Sequence, residues 1–134
     1  MNRKKVSSIV AFTVGTLLFV AGIFHTQAVS NLKESLSQHS TLTESRQNQV
    51  LINWVFSGLA MSGLGAIIVL LGAHLKKGKK MARNLTVMIA VFFLFFTLAA
   101  YMIEPNPRLL LVFGFPALLL LMPMVIFWKE FALD

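Results

Sequence analysis

This 134-residue chain contains no cysteine, which excludes disulfides, thiolate catalysis and cysteine-ligated metal sites. Acidic residues are also scarce, with five Asp and Glu against twelve Lys and Arg. These few carboxylates are scattered, so the sequence offers no pair for general acid and base catalysis. It has no Ser-His-Asp set and no glycine-rich phosphate loop between a strand and a helix. We therefore predict no catalytic residue, no metal site and no cofactor.

Charge is missing altogether from four long apolar runs, at residues 6–29, 50–75, 85–103 and 109–128. Each run is close to or above the ~20 residues that a helix needs to cross a bilayer. The chain is 57% hydrophobic, against roughly 45–50% in soluble domains. We predict an all-α integral membrane protein in the lipid bilayer. It would be a single domain over residues 1–134, a four-helix transmembrane bundle running up-down-up-down.

The Lys and Arg residues are divided unequally between the two predicted sides of the membrane. Three precede the first run, five lie in the connection at residues 76–83, and one follows the last run, nine in all. The other two connections hold three. Since cytoplasmic loops are rich in Lys and Arg, both termini and this basic connection are predicted to be cytoplasmic.

The same basic residues give a second prediction. In a soluble protein the net charge of +7 would suggest nucleic acid, but here membrane topology accounts for the charge, and no nucleic-acid partner is predicted. Clustered cations hold anionic lipid headgroups at about 1 kcal/mol per residue. The predicted contacts with headgroups, or with an acidic partner, are Arg3, Lys4, Lys5, Lys76, Lys77, Lys79, Lys80 and Arg83.

Small residues recur on one face of each of the first two runs, which lets neighbouring helix backbones approach closely. The predicted packing positions are Ser7, Ala11, Gly15 and Gly22 in the first run, and Gly58, Ser62 and Ala66 in the second. We expect the two helices to pack as an antiparallel pair. The alternative is that one of these faces forms a contact in a homo-oligomer.

The connection at residues 30–49 is polar, nearly neutral and predicted to be exported. Its first part could extend the first helix or lie along the membrane interface, and a Thr41–Glu44 capping pattern starts the second helix near Leu42. A competing interpretation makes the amino terminus a cleaved signal peptide, with Ala28 ending the cleavage motif. The apolar run exceeds the usual 7–15 residues of a signal peptide, which weighs against cleavage.

For function, the absence of Asp, Glu, Lys and Arg inside the runs disfavours proton-coupled transport, because the two histidines there, His25 and His74, lie near the ends of their runs. We expect a non-enzymatic accessory, assembly or interaction subunit of a membrane complex, with other membrane proteins or further copies of itself as partners. A bacterial inner membrane fits the size of the chain. The alternatives are a small oligomeric channel or carrier for a neutral or lipidic solute, lined by Asn53 and Ser57, and a lipid-modifying enzyme.

Overall fold

In the computed structural model, residues 3–39 and 41–131 are described, and this part of the chain is almost entirely helical, with no strands. Three helices are long and apolar enough to cross a membrane. They are α1 (Arg3–Gln27), α3 (Glu44–Lys76) and α4 (Lys80–Ile103). Each lacks proline and carries only a few charges, at its ends, so nothing interrupts its backbone ladder.

The predicted count of four helices differs from the structure, because the connection at residues 30–49 is itself largely helical. A separate helix, α2 (Val29–His39), follows α1 with only Ala28 between them. The Ala28 amide bonds to the Phe24 carbonyl, and the Leu32 amide bonds to the Ala28 carbonyl, both with helical spacing. The polar segment therefore extends the first helix, one of the two alternatives that the sequence left open.

Helix α3 begins at Glu44, two residues after the predicted start. The predicted capping arrangement between Thr41 and Glu44 does not form, because Glu44 is already the first helical residue. Instead, the Gln47 side chain reaches back to the Leu42 carbonyl at 3.0 Å. With 33 residues, α3 is about 50 Å long, well beyond a ~30 Å hydrocarbon core.

The basic connection predicted at residues 76–83 is much shorter in the structure. Helix α3 ends at Lys76 and α4 begins at Lys80, so Lys80 and Arg83 lie in α4 and not in a loop. Gly78 adopts a φ of +78°, which favours glycine. Its amide bonds to the Leu75 carbonyl and the Lys79 amide to the His74 carbonyl. This pair of bonds is a Schellman motif, which ends α3.

The last apolar run, predicted as one helix over residues 109–128, is divided into shorter segments. These are α5 (Pro107–Leu109), a π-helical turn (Leu110–Gly114), α6 (Phe115–Ile126) and a 3₁₀ turn (Trp128–Glu130). Pro116 has no amide hydrogen for the Val112 carbonyl four residues earlier, and a wider π turn accommodates that loss. Pro123 lies inside α6 and removes another such bond.

Contacts within the chain divide it into two compact units. Unit A comprises the residues up to Val14 and those from Ile68 onward, and unit B comprises Gly15–Ile67. In unit A, α4 packs on α6. The buried residues of α4 in this unit are mostly small: Ala82, Arg83, Thr86, Ala90, Phe93 and Thr97. Those of α6 are Ala117, Leu120, Pro123 and Met124.

Candidate functional site

The closest helix contact in unit B joins α1 to α3 through glycines. A Cβ on Gly22 would lie 2.6 Å from the Ser62 amide nitrogen, and one on Gly58 would lie 2.8 Å from the Gly22 carbonyl oxygen. Real Cβ atoms do not come so close, so both positions require glycine. The Ser62 hydroxyl donates to the Phe19 carbonyl at 3.2 Å across the same contact. The small side chains thus bring the two backbones together.

Farther along the two helices, Gly65 of α3 makes the next close contact with α1. A Cβ there would lie 2.6 Å from the Gly15 carbonyl oxygen and would also overlap the backbone of Phe19. From one contact to the next, the residue numbers decrease along α1 while they increase along α3, so the two helices are antiparallel. Ala66 is the residue predicted from the sequence for this position. Ala66 is half-buried, while Gly65 makes the close approach.

An aromatic contact closes the other end of this pair. The His25 and Trp54 rings stack with centroids 3.9 Å apart and planes 15° apart. The Trp54 indole nitrogen also donates to the His25 carbonyl at 2.6 Å. Sequence reasoning missed this contact. The sequence indicates it only by Trp54 near the start of the second apolar run and His25 near the end of the first.

Helices α1 and α3 also meet within unit A. The Ser8 hydroxyl donates to the Gly72 carbonyl at 2.8 Å, and a Cβ on Gly72 would meet the Phe12 ring at 3.3 Å. Of the predicted packing positions here, Ala11 is fully buried, and Ser7 is buried with its hydroxyl on the Arg3 carbonyl of its own helix. Ser8, one residue from the predicted position, makes the bond between helices.

The predicted headgroup contacts gather at one end of unit A. A Cβ on Gly78 would lie 2.7 Å from the Lys4 ammonium nitrogen, so the start of α1 lies beside the turn after α3. Such a cluster of cations attracts phosphate and carboxylate groups. Arg3, Lys5, Lys76, Lys77 and Lys80 are exposed, while Lys4 and Lys79 are half-buried.

Arg83 differs from this prediction, because only 3% of it is exposed and it cannot serve as a surface contact. Its guanidinium carbon lies 3.5 Å from the centre of the Trp128 ring. One guanidinium nitrogen donates to the Trp128 carbonyl at 3.3 Å, and the other two donors reach the Asn84 side-chain oxygen. A planar guanidinium can stack and donate in this way, so Arg83 holds the segment after α6 against α4.

A second arginine holds the same segment. Arg3 forms an ion pair with Glu130 at 3.1 Å, and its guanidinium carbon lies 5.8 Å from the centre of the Phe127 ring. Phe131 is buried, with 2% exposed. Residues 127–131 are therefore attached to unit A by Arg3, Arg83 and an apolar anchor.

The two proposed pore-lining residues do not line an interior space of unit B. Asn53 and Ser57 are both exposed, and the Ser57 hydroxyl donates to the Asn53 carbonyl one turn earlier. A lining role would need further chains around α3. Within residues 3–39 and 41–131, no group of three His, Asp or Glu side chains is placed to hold a metal ion.

Comparison of this chain with protein-family models, with curated proteins and with solved structures found no match.

Proposed function

We propose that this chain is an integral membrane protein that crosses the bilayer four times, with both termini in the cytoplasm, and that it acts as a non-enzymatic interaction subunit. The fourth crossing would be formed by the successive helical segments between Pro107 and Ile126. Together these span about 20 residues, enough for a hydrocarbon core. A bacterial inner membrane remains the proposed location.

The exposed surfaces of the long helices support insertion in lipid. Large apolar side chains point outward on each of them, including Leu17 on α1, Phe56 on α3 and Phe95 on α4, all more than 60% exposed. In water, apolar surface of this extent would drive association. In hydrocarbon it needs no cover, because lipid tails are as apolar as the side chains.

The observation that carries the interaction role is the use of the chain's glycines and polar groups for helix contacts. Gly22, Gly58 and Gly65 bring backbones together, and the buried hydroxyls bond to carbonyls of the same chain. Polar groups placed for substrate would instead face a cavity. The extension formed by α2 and the first turns of α3 offers a polar surface to partners outside the membrane.

The basic end of unit A supports a further contact, with anionic lipid headgroups on the cytoplasmic side. Exposed Lys76 and Lys77 lie at the end of α3 and in the turn after it, and exposed Lys5 follows Lys4, whose ammonium lies beside that turn. Binding of vesicles that contain anionic lipid should weaken as salt rises, because surface charges are screened over about 10 Å at 0.1 M ionic strength.

Two experiments test the proposal in order. Alkaline carbonate should leave the tagged chain in the membrane pellet, and release into the supernatant would contradict membrane insertion. The same chain, solubilised from native membranes in mild detergent, should then copurify with a companion protein. A tagged four-span protein of unrelated sequence, produced at the same level, is the control. Recovery of the chain without any companion would contradict a role in a complex with other proteins.

A further inference from the structure

Within the described residues of unit B, one face of α3 is largely exposed. Ile52, Phe56, Leu59 and Ile67 are between 48% and 70% exposed. At 3.6 residues per turn, these residues and Gly63 fall within roughly 80° of arc. The face that contacts α1 lies roughly 130° away around the helix. We call the uncovered side, defined by Ile52, Phe56, Leu59, Gly63 and Ile67, the outer face of α3.

Gly63 sets the outer face apart from an ordinary lipid-facing surface. Of the seven glycines whose surroundings the structure describes, six would meet a neighbouring atom within 3.3 Å if they carried a Cβ. Gly63 would meet nothing within 4 Å. Glycine lowers helix propensity, and contact with lipid does not require a residue without a side chain at this position. A second helix packed on this face would explain the glycine, because the missing side chain lets two helix backbones approach closely.

The outer face continues above the apolar region as a polar strip. Glu44, Ser45, Asn48 and Gln49 line a shallow open groove that ends at Ile52. Glu44 lies at the flank, roughly 100° around the helix from the middle of the outer face. Amide side chains carry both a donor and an acceptor, so each can pair with its own copy. Positions 49, 56 and 63 are seven apart, as are 45, 52 and 59, which is the spacing of a two-helix seam.

This arrangement fits a second copy of the chain better than an unlike helix. Two copies inserted in the same orientation present the same residue at the same depth. Around a two-fold axis, amides then face amides, Phe56 lies beside Leu59, and Gly63 faces Gly63. If the partner were an apolar helix without amides at the matching height, Asn48 and Gln49 would have no side chain of the partner to hydrogen-bond with.

We infer that the chain forms a parallel homodimer through the outer face of α3, with Gly63 at the point of closest approach. This specifies one partner of the interaction protein proposed above and rests on its insertion in a membrane. It does not depend on a companion of different sequence. Loss of one interaction therefore leaves the other intact, and the two proposals fail separately.

The absence of cysteine allows a direct test by disulfide crosslinking. Gln49→Cys places a single thiol on the polar part of the outer face, where water allows the thiolate to form. In native membranes treated with a copper oxidant, we expect most of this variant to migrate as a dimer on a non-reducing gel. Ser35→Cys, exposed on α2, is the matched control and should remain mostly monomeric.

A second substitution tests the role of Gly63. In the Gln49→Cys background, Gly63→Leu should lower crosslinking about fivefold or more, because its bulk separates the seam. Leu17→Phe is the control. Leu17 is exposed on α1 at nearly the same depth, since the neighbouring Gly15 and Phe19 contact Gly65. Gly63→Leu meets open space within one chain, so it leaves the fold intact, which a melting curve verifies.

The inference is overturned if Gln49→Cys crosslinks no more than Ser35→Cys, or if Gly63→Leu leaves crosslinking unchanged. In either case, a companion protein that still copurifies would preserve the proposed interaction role. Conversely, strong crosslinking without any companion would support the homodimer and contradict a heteromeric assembly role.

Discussion

The contact between α1 and α3 in unit B and the contact between α4 and α6 in unit A bury their residues in different ways. In unit B, the hydroxyl of Ser62 and the indole of Trp54 donate across the contact to carbonyls of α1. In unit A, Thr86 and Thr97 are fully buried, more so than Ser62 and Trp54, but each donates to a carbonyl of its own helix. The first contact is thus hydrogen-bonded between helices, and the second relies on packing.

The side chains at the two contacts reflect this difference. In the π turn directly before α6, Phe113 packs edge-on against Phe96 of α4 with centroids 5.1 Å apart, and Gly114 approaches Thr97. Aromatic rings keep backbones apart and fill the space themselves. At the α1–α3 contact, glycine has no side chain, so the backbones lie close enough for side chains of α3 to donate to carbonyls of α1. We therefore expect the α1–α3 contact to tolerate added volume far less well.

The largest expected effect is that of Gly58→Leu. Its side chain would overlap Thr26 and the backbone of Gly22, so we expect a loss of roughly 3 kcal/mol or more in unfolding free energy. Gly63→Leu is the matched control on the same helix and should change that free energy by less than about 1 kcal/mol. Reversible unfolding in dilute mixed micelles measures both. Equal losses would contradict the close approach at Gly58.

Arg83→Ala should have the next largest effect, about 2 kcal/mol, through loss of the ring stack and the bond to the Trp128 carbonyl. Arg83→Lys keeps the charge but not the planar fork, and we expect it to recover less than half of that loss. Lys77→Ala, exposed on the nearby turn, is the control and should be nearly neutral. The same unfolding measurement applies, and tolerance of Arg83→Ala would count against the burial of this guanidinium.

Trp54→Phe should cost about 1 kcal/mol, since it removes the donor to the His25 carbonyl but keeps a ring for stacking. Trp54→Leu removes both and should cost about 2 kcal/mol. The difference between the two variants isolates the stacking contribution. If both variants unfold like the parent chain, the hydrogen-bonded description of the α1–α3 contact is wrong.

The smallest effect is expected at the exposed ion pair between Arg3 and Glu130. A double-mutant cycle with Arg3→Ala and Glu130→Gln should give a coupling below about 1 kcal/mol, and less as salt is added. A coupling of several kcal/mol that does not respond to salt would show that this pair is more deeply enclosed than its exposed side chains indicate.

Hydropathy was sufficient to predict the three long apolar helices, because length and freedom from charge alone define a spanning segment. It could not predict the division of the last run, where Pro116 and Pro123 interrupt the α-helical ladder without interrupting the apolar composition. It left α2 undecided, since the helical spacing of apolar residues after α1 fits both an extension of that helix and a helix along the membrane interface.

Four-residue spacing identified the small residues of α1 and α3 but not which of them face each other. Gly65 and Ala66 are adjacent and both small, so only the register of the helices decides that Gly65 makes the close approach. Charge counting likewise grouped Arg83 with the surface cations, because the sequence does not reveal that Trp128, 45 positions away, covers it.

Membrane topology is the claim on which the other conclusions depend, and single-cysteine labelling tests it most directly. Ser37→Cys in α2 and Lys77→Cys in the turn after α3 each place one exposed thiol in an otherwise cysteine-free chain. With a membrane-impermeant maleimide, Ser37→Cys should label in intact cells and Lys77→Cys only after permeabilisation. Labelling of both, or of Lys77→Cys alone, in intact cells would contradict the proposed topology.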